Sequence, residues 1–439
     1  MSVVTDSPVH SSSSDDFIAY LDAALDANSP DSSTDKQPQN QDEFESLRIK
    51  RRKLESVEES EGTTSKGINE QNLVVAEASM EADLCTHPGS FGNMCIRCGQ
   101  KLDGESGVTF GYIHKGLRLH DEEISRLRDT DMKSLLCRKK LYLVLDLDHT
   151  LLNSTHLAHL SSEELDLLNQ TDSLGGSLFK LEHMHMMTKL RPFVHQFLKE
   201  ASEMFEMYIY TMGDRPYALE MAKLLDPQGE YFNAKVISRD DGTQKHQKGL
   251  DVVLGQESAV LILDDTEHAW MKHKDNLILM ERYHFFASSC RQFGFNCKSL
   301  AELKSDENET DGALAKILKV LERVHCTFFD KLQVDLVDRD VRQVLSSLRS
   351  EVLSGCVIVF SRIFHGALPS LRKMAEQMGA TCLTEIDPSV THIVATDAGT
   401  EKSRWAVKEK KFLVHPRWIE AANYFWQKQP EENFILKKK

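Results

Sequence analysis

The stretch Leu141–Ser154, "LYLVLDLDHTLLNS", decides how the chain folds. It opens with five apolar residues in a row, the composition of a strand buried on both faces of a parallel sheet. Asp146 and Asp148 then stand where the apolar run would continue. Residues two apart on a strand point the same way, so both carboxylates face one side at the strand's carboxyl end. In open α/β sheets, ligands bind beyond those ends. Two carboxylates this close repel, and one pKa rises unless a cation compensates. A hard divalent ion with oxygen ligands, such as Mg²⁺, does this.

From Lys139 to roughly residue 300 the same kind of strand recurs. "MYIYTM", "AKVIS" and "AVLILDD" alternate with "RPFVHQFLKEAS" and "DRPYALEMAKLLD", which have helical spacing. Strands separated by helices predict parallel pairing and right-handed crossovers. "AVLILDD" ends in a second acidic pair, Asp264 and Asp265. If the two strand ends are neighbours, acids from both form one metal site. "IYTMG" brings Thr211 to a third strand end, and "GTQKHQKGL" brings a lysine, either Lys245 or Lys248. A nucleophile, a metal, a hydroxyl donor and a cation together suit phosphoryl transfer.

The ordered set D-x-D-x-T, Thr, Lys and D-D resembles the haloacid dehalogenase superfamily of phosphotransferases. "DLDHTLLNS", "LRPFVHQFL" and "YIYTMG" look more specifically like the catalytic domain of the RNA polymerase II C-terminal-domain phosphatases. The resemblance implies that Asp146 is the nucleophile forming an aspartyl-phosphate and that Asp148 alternates as acid and base. It implies Mg²⁺ held by the carboxylates of Asp146 and Asp264, the main-chain carbonyl of Asp148, and Asp265 directly or through water. Thr150 and Thr211 would position phosphoryl oxygens, and Arg191 would face the substrate, with a surface salt bridge as the alternative for the arginine. "QKGL" resembles the family's lysine segment better, which favours Lys248. Trp270 occupies an aromatic position that the family also has, with core packing as the alternative. His149 and His183 read as local hydrogen-bonding residues. The segment His156–Phe179 interrupts the pattern after the first motif, and the resemblance implies that it lies near the mouth of the site.

Of nine cysteines, three lie in "CTHPGSFGNMCIRCG", and the others are scattered singly. That spacing argues against a disulfide framework. Cys85, His87, Cys95 and Cys98 make four N and S donors, the set a tetrahedral Zn²⁺ needs. A similar segment precedes the catalytic domain in the polymerase-type phosphatases, so zinc is a second candidate cofactor. The alternative is a turn-rich module with free thiols.

After the polar stretch "KSDENETDG" (304–312), a helix is predicted with Leu314, Ile317, Leu318 and Leu321 on one face. "LSGCVIVFSRIF", "LRKMAEQMGATCLTEIDPSVTHIVAT" and "HPRWIEAANYF" then resemble a BRCT domain, with Trp418 as a core residue. In BRCT folds that bind phosphopeptides, a hydroxyl after the first strand and a lysine on a later helix grip the phosphate. Ser361 and Lys402 fall at those positions. A structural serine and a solvated lysine are the competing reading.

Residues 1 to about 80 are too polar to bury a core and are expected to be disordered. Within them, Phe17–Leu25 has the helical spacing of a docking helix or of a transient helix in a disordered tail, and "RIKRRK" (Arg48–Lys53) reads as a nuclear import signal or as a solvated charge run. A net charge of −15 argues against a main surface for nucleic-acid backbone. No apolar run is long enough to span a bilayer.

The expected organisation is a tail (1–80), a Cys/His module (84–136), a Rossmann-like haloacid dehalogenase phosphatase domain with a parallel sheet (137–300), a helical linker (301–345) and a small α/β BRCT domain (346–437). This arrangement is similar to that of the plant C-terminal-domain-phosphatase-like proteins. The resemblance implies a nuclear, Mg²⁺-dependent protein serine phosphatase. Its partner would be the phosphorylated C-terminal domain of the largest RNA polymerase II subunit, with a general transcription factor as a further candidate contact. No direct contact with nucleic acid or membrane is expected. The rivals are a phosphopeptide adaptor with a scaffold-only catalytic fold, and an enzyme for small phosphate esters.

Overall fold

The computed structural model describes residues 85–102, 106–166, 176–295, 297–330 and 335–436. The Phe17–Leu25 segment and the basic run Arg48–Lys53 lie outside them.

The described chain opens with short antiparallel strands, β1 (Gly89–Phe91), β2 (Met94–Cys95), β3 (Val108–Thr109) and β4 (Leu117–Leu119), in the order β2-β1-β4-β3. The helix Asp121–Cys137 follows, with three acids in its first turn, where the helix dipole favours them. Next comes β5 (Leu141–Leu145), every residue of which is buried. β6 (Leu152–His156), β7 (Leu178–Leu181) and β8 (Met186–Leu190) form a separate antiparallel sheet, β6-β8-β7, so the interruption after the first motif contributes strands of its own. β9 (Phe205–Tyr210), β10 (Val236–Ile237), β11 (Val260–Asp264) and β12 (Leu277–Leu279) join β5 in a parallel sheet ordered β10-β9-β5-β11-β12.

β5 is central, and its period-2 geometry divides its side chains between two cores. Leu141, Leu143 and Leu145 pack with the helices Val194–Met204, Arg215–Leu225, Ala313–Asp330 and Val341–Ser350. Tyr142 and Val144 pack on the opposite face with Phe110, Tyr112, Ile124 and Leu135 of the N-terminal module and with Trp270. The Tyr112 hydroxyl donates to the Val252 carbonyl at 2.8 Å, so the buried phenol is satisfied there.

Ala313–Asp330 buries the four apolar residues expected of it, and also Val324 and Phe328. At roughly 1.5–3 kcal/mol for each fully buried large apolar side chain, that face holds the helix on the sheet despite the polar segment before it.

The last sheet, β14-β13-β15-β16, is parallel and built from β13 (Val357–Ser361), β14 (Thr381–Leu383), β15 (His392–Ala395) and β16 (Phe412–Val414). Trp418 is fully buried and stacks on the His392 ring at 4.6 Å, a core role. The closing helix Arg417–Phe425 packs against Ala313–Asp330, and Trp426 joins the core of the catalytic sheet. Among the described residues, no helix is long and apolar enough to cross a membrane.

Candidate active site

Sheet register assembles the site. Leu145 lies opposite Ile209 on β9 and Leu263 on β11. One residue further on, Asp146 is therefore beside Asp264, while Thr211 follows the end of β9. His149 takes a left-handed backbone conformation, φ +63°, that turns the chain sharply after Asp148. Such a conformation costs a non-glycine residue roughly 1–2 kcal/mol. Local bonds offset it: His149 N–H donates to the Leu152 carbonyl at 2.8 Å, and Leu151 N–H to Leu147 at 2.9 Å.

The structure distinguishes the two lysines. Lys245 is exposed, whereas Lys248 is buried and donates 2.6 Å hydrogen bonds to both Asp146 Oδ1 and Asp264 Oδ2. Burial alone would discharge Lys248, but the two carboxylates hold its pKa above the usual value. Thr150 Oγ1 donates to Asp146 Oδ2 at 3.1 Å, and Thr211 Oγ1 accepts from Gly213 N–H at 2.9 Å. Trp270 is both core and partner: fully buried, it donates Nε1–H to Asp264 Oδ2 at 2.8 Å.

The acids differ in environment. Burial pushes Asp146 well above the ordinary carboxylate range, and the charge of Asp264 adds to that. Burial also raises Asp148, against a 2.5 Å hydrogen bond from the Tyr217 hydroxyl. Asp264 is raised by burial. Burial works the same way on Asp265, but Arg282, whose Nε donates at 2.5 Å, holds it below the usual value. Asp146, Asp264 and Asp265 each offer a carboxylate oxygen, all within 4.8 Å of one another. An all-oxygen, anionic donor set fits Mg²⁺.

Arg191 lies behind the site, not at its mouth. Its side chain is fully buried and bonds to the carboxylate of Glu307 and to the carbonyls of Thr150 and Glu281. Four flanking residues carried no sequence signal for the site: Arg282, Lys189, Asp306 and Glu307. For Tyr217 a weak one existed, since it falls in the first turn of a helix that follows the Thr211 motif. His149 makes local contacts, its Nδ1 lying 3.3 Å from the Tyr283 carbonyl and from Asn153 Nδ2.

Two other sets lie apart. Cys85, His87, Cys95 and Cys98 bring one ligand atom each within 4.8 Å of the others. Arg97 N–H donates to Cys95 Sγ at 3.4 Å, and Gly99, at φ +72°, closes the knuckle with a bond to the Cys95 carbonyl. The backbone N–H of Cys98 is the largest influence lowering the Cys95 thiol, to about 6, and this favours the thiolate that a metal binds. In the C-terminal domain, the buried Ser361 hydroxyl pairs with Thr400 Oγ1 at 2.8 Å, and Lys402 Nζ donates to the Thr384 carbonyl at 2.5 Å.

A parallel α/β sheet that gathers Asp146, Asp264, Asp265 and a buried lysine at its strand ends suits an enzyme of phosphoryl transfer. The NLI interacting factor-like phosphatase family model matches residues 141–333, and the BRCA1 C Terminus (BRCT) domain model matches residues 348–422. The RNA polymerase II C-terminal domain phosphatase-like 4 protein of Arabidopsis thaliana is 61% identical over 448 residues, covering 99% of this chain and 98% of that one. The chain therefore belongs to the RNA polymerase II C-terminal domain phosphatase family. The RNA polymerase II C-terminal domain phosphatase-like 3 protein of Arabidopsis thaliana is 42% identical over 333 residues, 72% of this chain and 26% of that one. The solved structure of the fission yeast RNA polymerase II CTD phosphatase Fcp1 bound to beryllium fluoride superposes with a TM-score of 0.57 at 25% identity, covering 71% of this chain and 100% of that one.

Proposed function

We propose that this protein is a nuclear, Mg²⁺-dependent protein serine phosphatase acting on the phosphorylated heptad repeats of the largest RNA polymerase II subunit. One observation carries the chemistry: Lys248 Nζ lies 2.6 Å from the carboxylates of both Asp146 and Asp264, at the ends of adjacent strands. The substrate and the nuclear location rest on the relatives, which are named for that polymerase domain.

In this reading, an Asp146 oxygen attacks the phosphorus of a phosphoserine. The P–O bond to the serine breaks, and Asp148 gives its proton to the departing oxygen. Tyr217 holds Asp148 in place. Asp148, now a carboxylate, takes a proton from a water that attacks the aspartyl-phosphate. The P–O bond to Asp146 breaks, and inorganic phosphate leaves. Thr211 accepts from Gly213, so it keeps its own O–H to donate to a phosphoryl oxygen. Lys248 neutralises charge on the nucleophile and on the transferred group. Asp146, Asp264, Asp265 and the Asp148 carbonyl would hold Mg²⁺. The ion supplies charge stabilisation for the phosphoryl oxygens.

Phosphate release from a doubly phosphorylated heptad peptide, with and without Mg²⁺, tests the reading. Turnover is expected only with the ion, and Asp146→Asn is expected to cut it by about a thousandfold or more, since it removes the nucleophile. Equal turnover of a sugar phosphate would sink the peptide assignment.

Zinc at the Cys85/His87/Cys95/Cys98 set belongs to the same proposal. It is supported by four donors of the right type within mutual reach and by a glycine-closed knuckle. Elemental analysis of protein purified without chelators is expected to find one zinc per chain; metal-free, correctly folded protein would remove it.

A further inference from the structure

We propose that Glu307 is a positioning residue for the nucleophile loop, acting through Arg191. The inference rests on the phosphatase reading above and adds a residue to it.

Glu307 lies in the polar stretch 304–312, whose sequence reads only as a break between elements. In the structure it is the counter-ion of a buried arginine. Arg191 Nε donates to Glu307 Oε2 at 3.0 Å and Nη2 to Oε1 at 2.7 Å. This two-point fork fixes the plane of the guanidinium, which a single contact would not. With the plane fixed, Nη1 donates to the Thr150 carbonyl at 3.0 Å, and Nη2 also reaches the Glu281 carbonyl at 3.0 Å. Thr150 in turn donates its hydroxyl to Asp146 Oδ2 at 3.1 Å. The path from Glu307 to the nucleophile is thus three hydrogen bonds long.

A second arm runs beside it. Lys189, also buried, pairs with Asp306 Oδ2 at 2.7 Å, and Asp306 Oδ1 accepts the Tyr283 hydroxyl at 2.8 Å. Tyr283 N–H donates to the His149 carbonyl at 2.8 Å. Consecutive acids therefore hold consecutive carbonyls of the loop that carries Asp146 and Asp148. Both acids reach in from the solvent boundary: the Asp306 side chain is 25% exposed and that of Glu307 20%, against 0% for Arg191. Glu307 Oε2 also accepts Ala313 N–H at 3.4 Å, tying this arm to the start of the helix Ala313–Asp330.

The alternative is that Glu307 only offsets a buried charge. The two readings diverge in a double variant. Glu307→Gln alone strands Arg191, and loss of one partner of a buried pair is strongly destabilising. Arg191→Met combined with Glu307→Leu removes both charges, and replacement of a buried pair by apolar groups is often neutral for stability. In each variant kcat, KM and Tm are measured on the doubly phosphorylated heptad peptide and on p-nitrophenyl phosphate. The positioning role predicts that Glu307→Gln lowers kcat about tenfold or more with KM within about twofold, because small misplacements of reacting groups cost this much. It predicts the same loss of kcat in the double variant, although its Tm is retained. A double variant with wild-type kcat overturns the proposal, as does Glu307→Gln with unchanged kcat. If wild-type protein hydrolyses only the aryl phosphate, the peptide assignment fails, and the ranking of variants on the aryl ester still decides the role of Glu307.

Discussion

The catalytic sheet and the C-terminal sheet each place polar groups at the carboxyl end of a central parallel strand. At the end of β5 stand Asp146 and Asp148; at the end of β13 stands Ser361. The first end has more negative charge than its own cations neutralise. Asp146, Asp264 and Asp265 face Lys248 and Arg282, leaving an excess of negative charge that a divalent cation fits. The second end is satisfied internally, with Ser361 on Thr400 and Lys402 on a carbonyl of its own domain. Strand-end position therefore makes a site available, and an uncompensated charge makes it reactive.

The largest test of that contrast is Lys248→Met. It leaves the carboxylates of Asp146 and Asp264 facing each other without their shared cation. Turnover of the heptad peptide is expected to fall by about a hundredfold or more, since a preorganised charge at the reacting group is lost. In metal-free buffer the variant is expected to lose on the order of 3–5 kcal/mol of stability, read as a lower denaturation midpoint. A variant as stable and active as wild type would break the comparison at its stronger end.

Tyr217→Phe is a smaller perturbation. It removes the hydroxyl that holds Asp148 and leaves the ring in the core. Hydrolysis of a serine phosphate, whose leaving group needs a proton, is expected to slow about tenfold, within the range for proton-transfer catalysis. Hydrolysis of p-nitrophenyl phosphate, with a good leaving group, is expected to change less. Equal losses on both esters would mean that Tyr217 does not act through the general acid.

The smallest effect is expected at the C-terminal strand end. Ser361→Ala and Lys402→Ala should each leave peptide turnover within about twofold, because each group's hydrogen bond is made inside its own domain and is worth roughly 1 kcal/mol. A tenfold rise in KM for the doubly phosphorylated peptide would show that both strand ends bind phosphate.

Much of this architecture is legible in the sequence because the decisive signals are local. Runs such as "LYLVL" and "VLILD" are strands wherever they are covered on both faces, and an acid at their end needs little context to be read. Lys248 could be told from Lys245 only by its fit to a longer motif, whereas the fold separates them by burial. Trp270 could be assigned to core or to site, and it serves both through the two ends of one indole. The Arg191–Glu307 pair was illegible because its partners lie 116 residues apart and an acidic run has the composition of a loop. Likewise, nothing in "LNSTH" or in the segment after it announces a three-stranded antiparallel sheet, since its pairing partners are set by tertiary contact.

The division of β5 side chains between two cores has a consequence for biosynthesis. One face of the strand is covered largely by residues that leave the ribosome before it, Phe110 to Leu135, and is completed by later ones such as Trp270. The other is covered in part by Val194–Met204 and Arg215–Leu225 and is completed only by Ala313–Asp330 and Val341–Ser350, well after the last catalytic aspartate has been made. During that interval a greasy sheet with all of its active-site acids already synthesised stands half covered, a state prone to aggregation. A nascent chain stalled near residue 300 is thus expected to recruit chaperones, and one released after residue 350 is not.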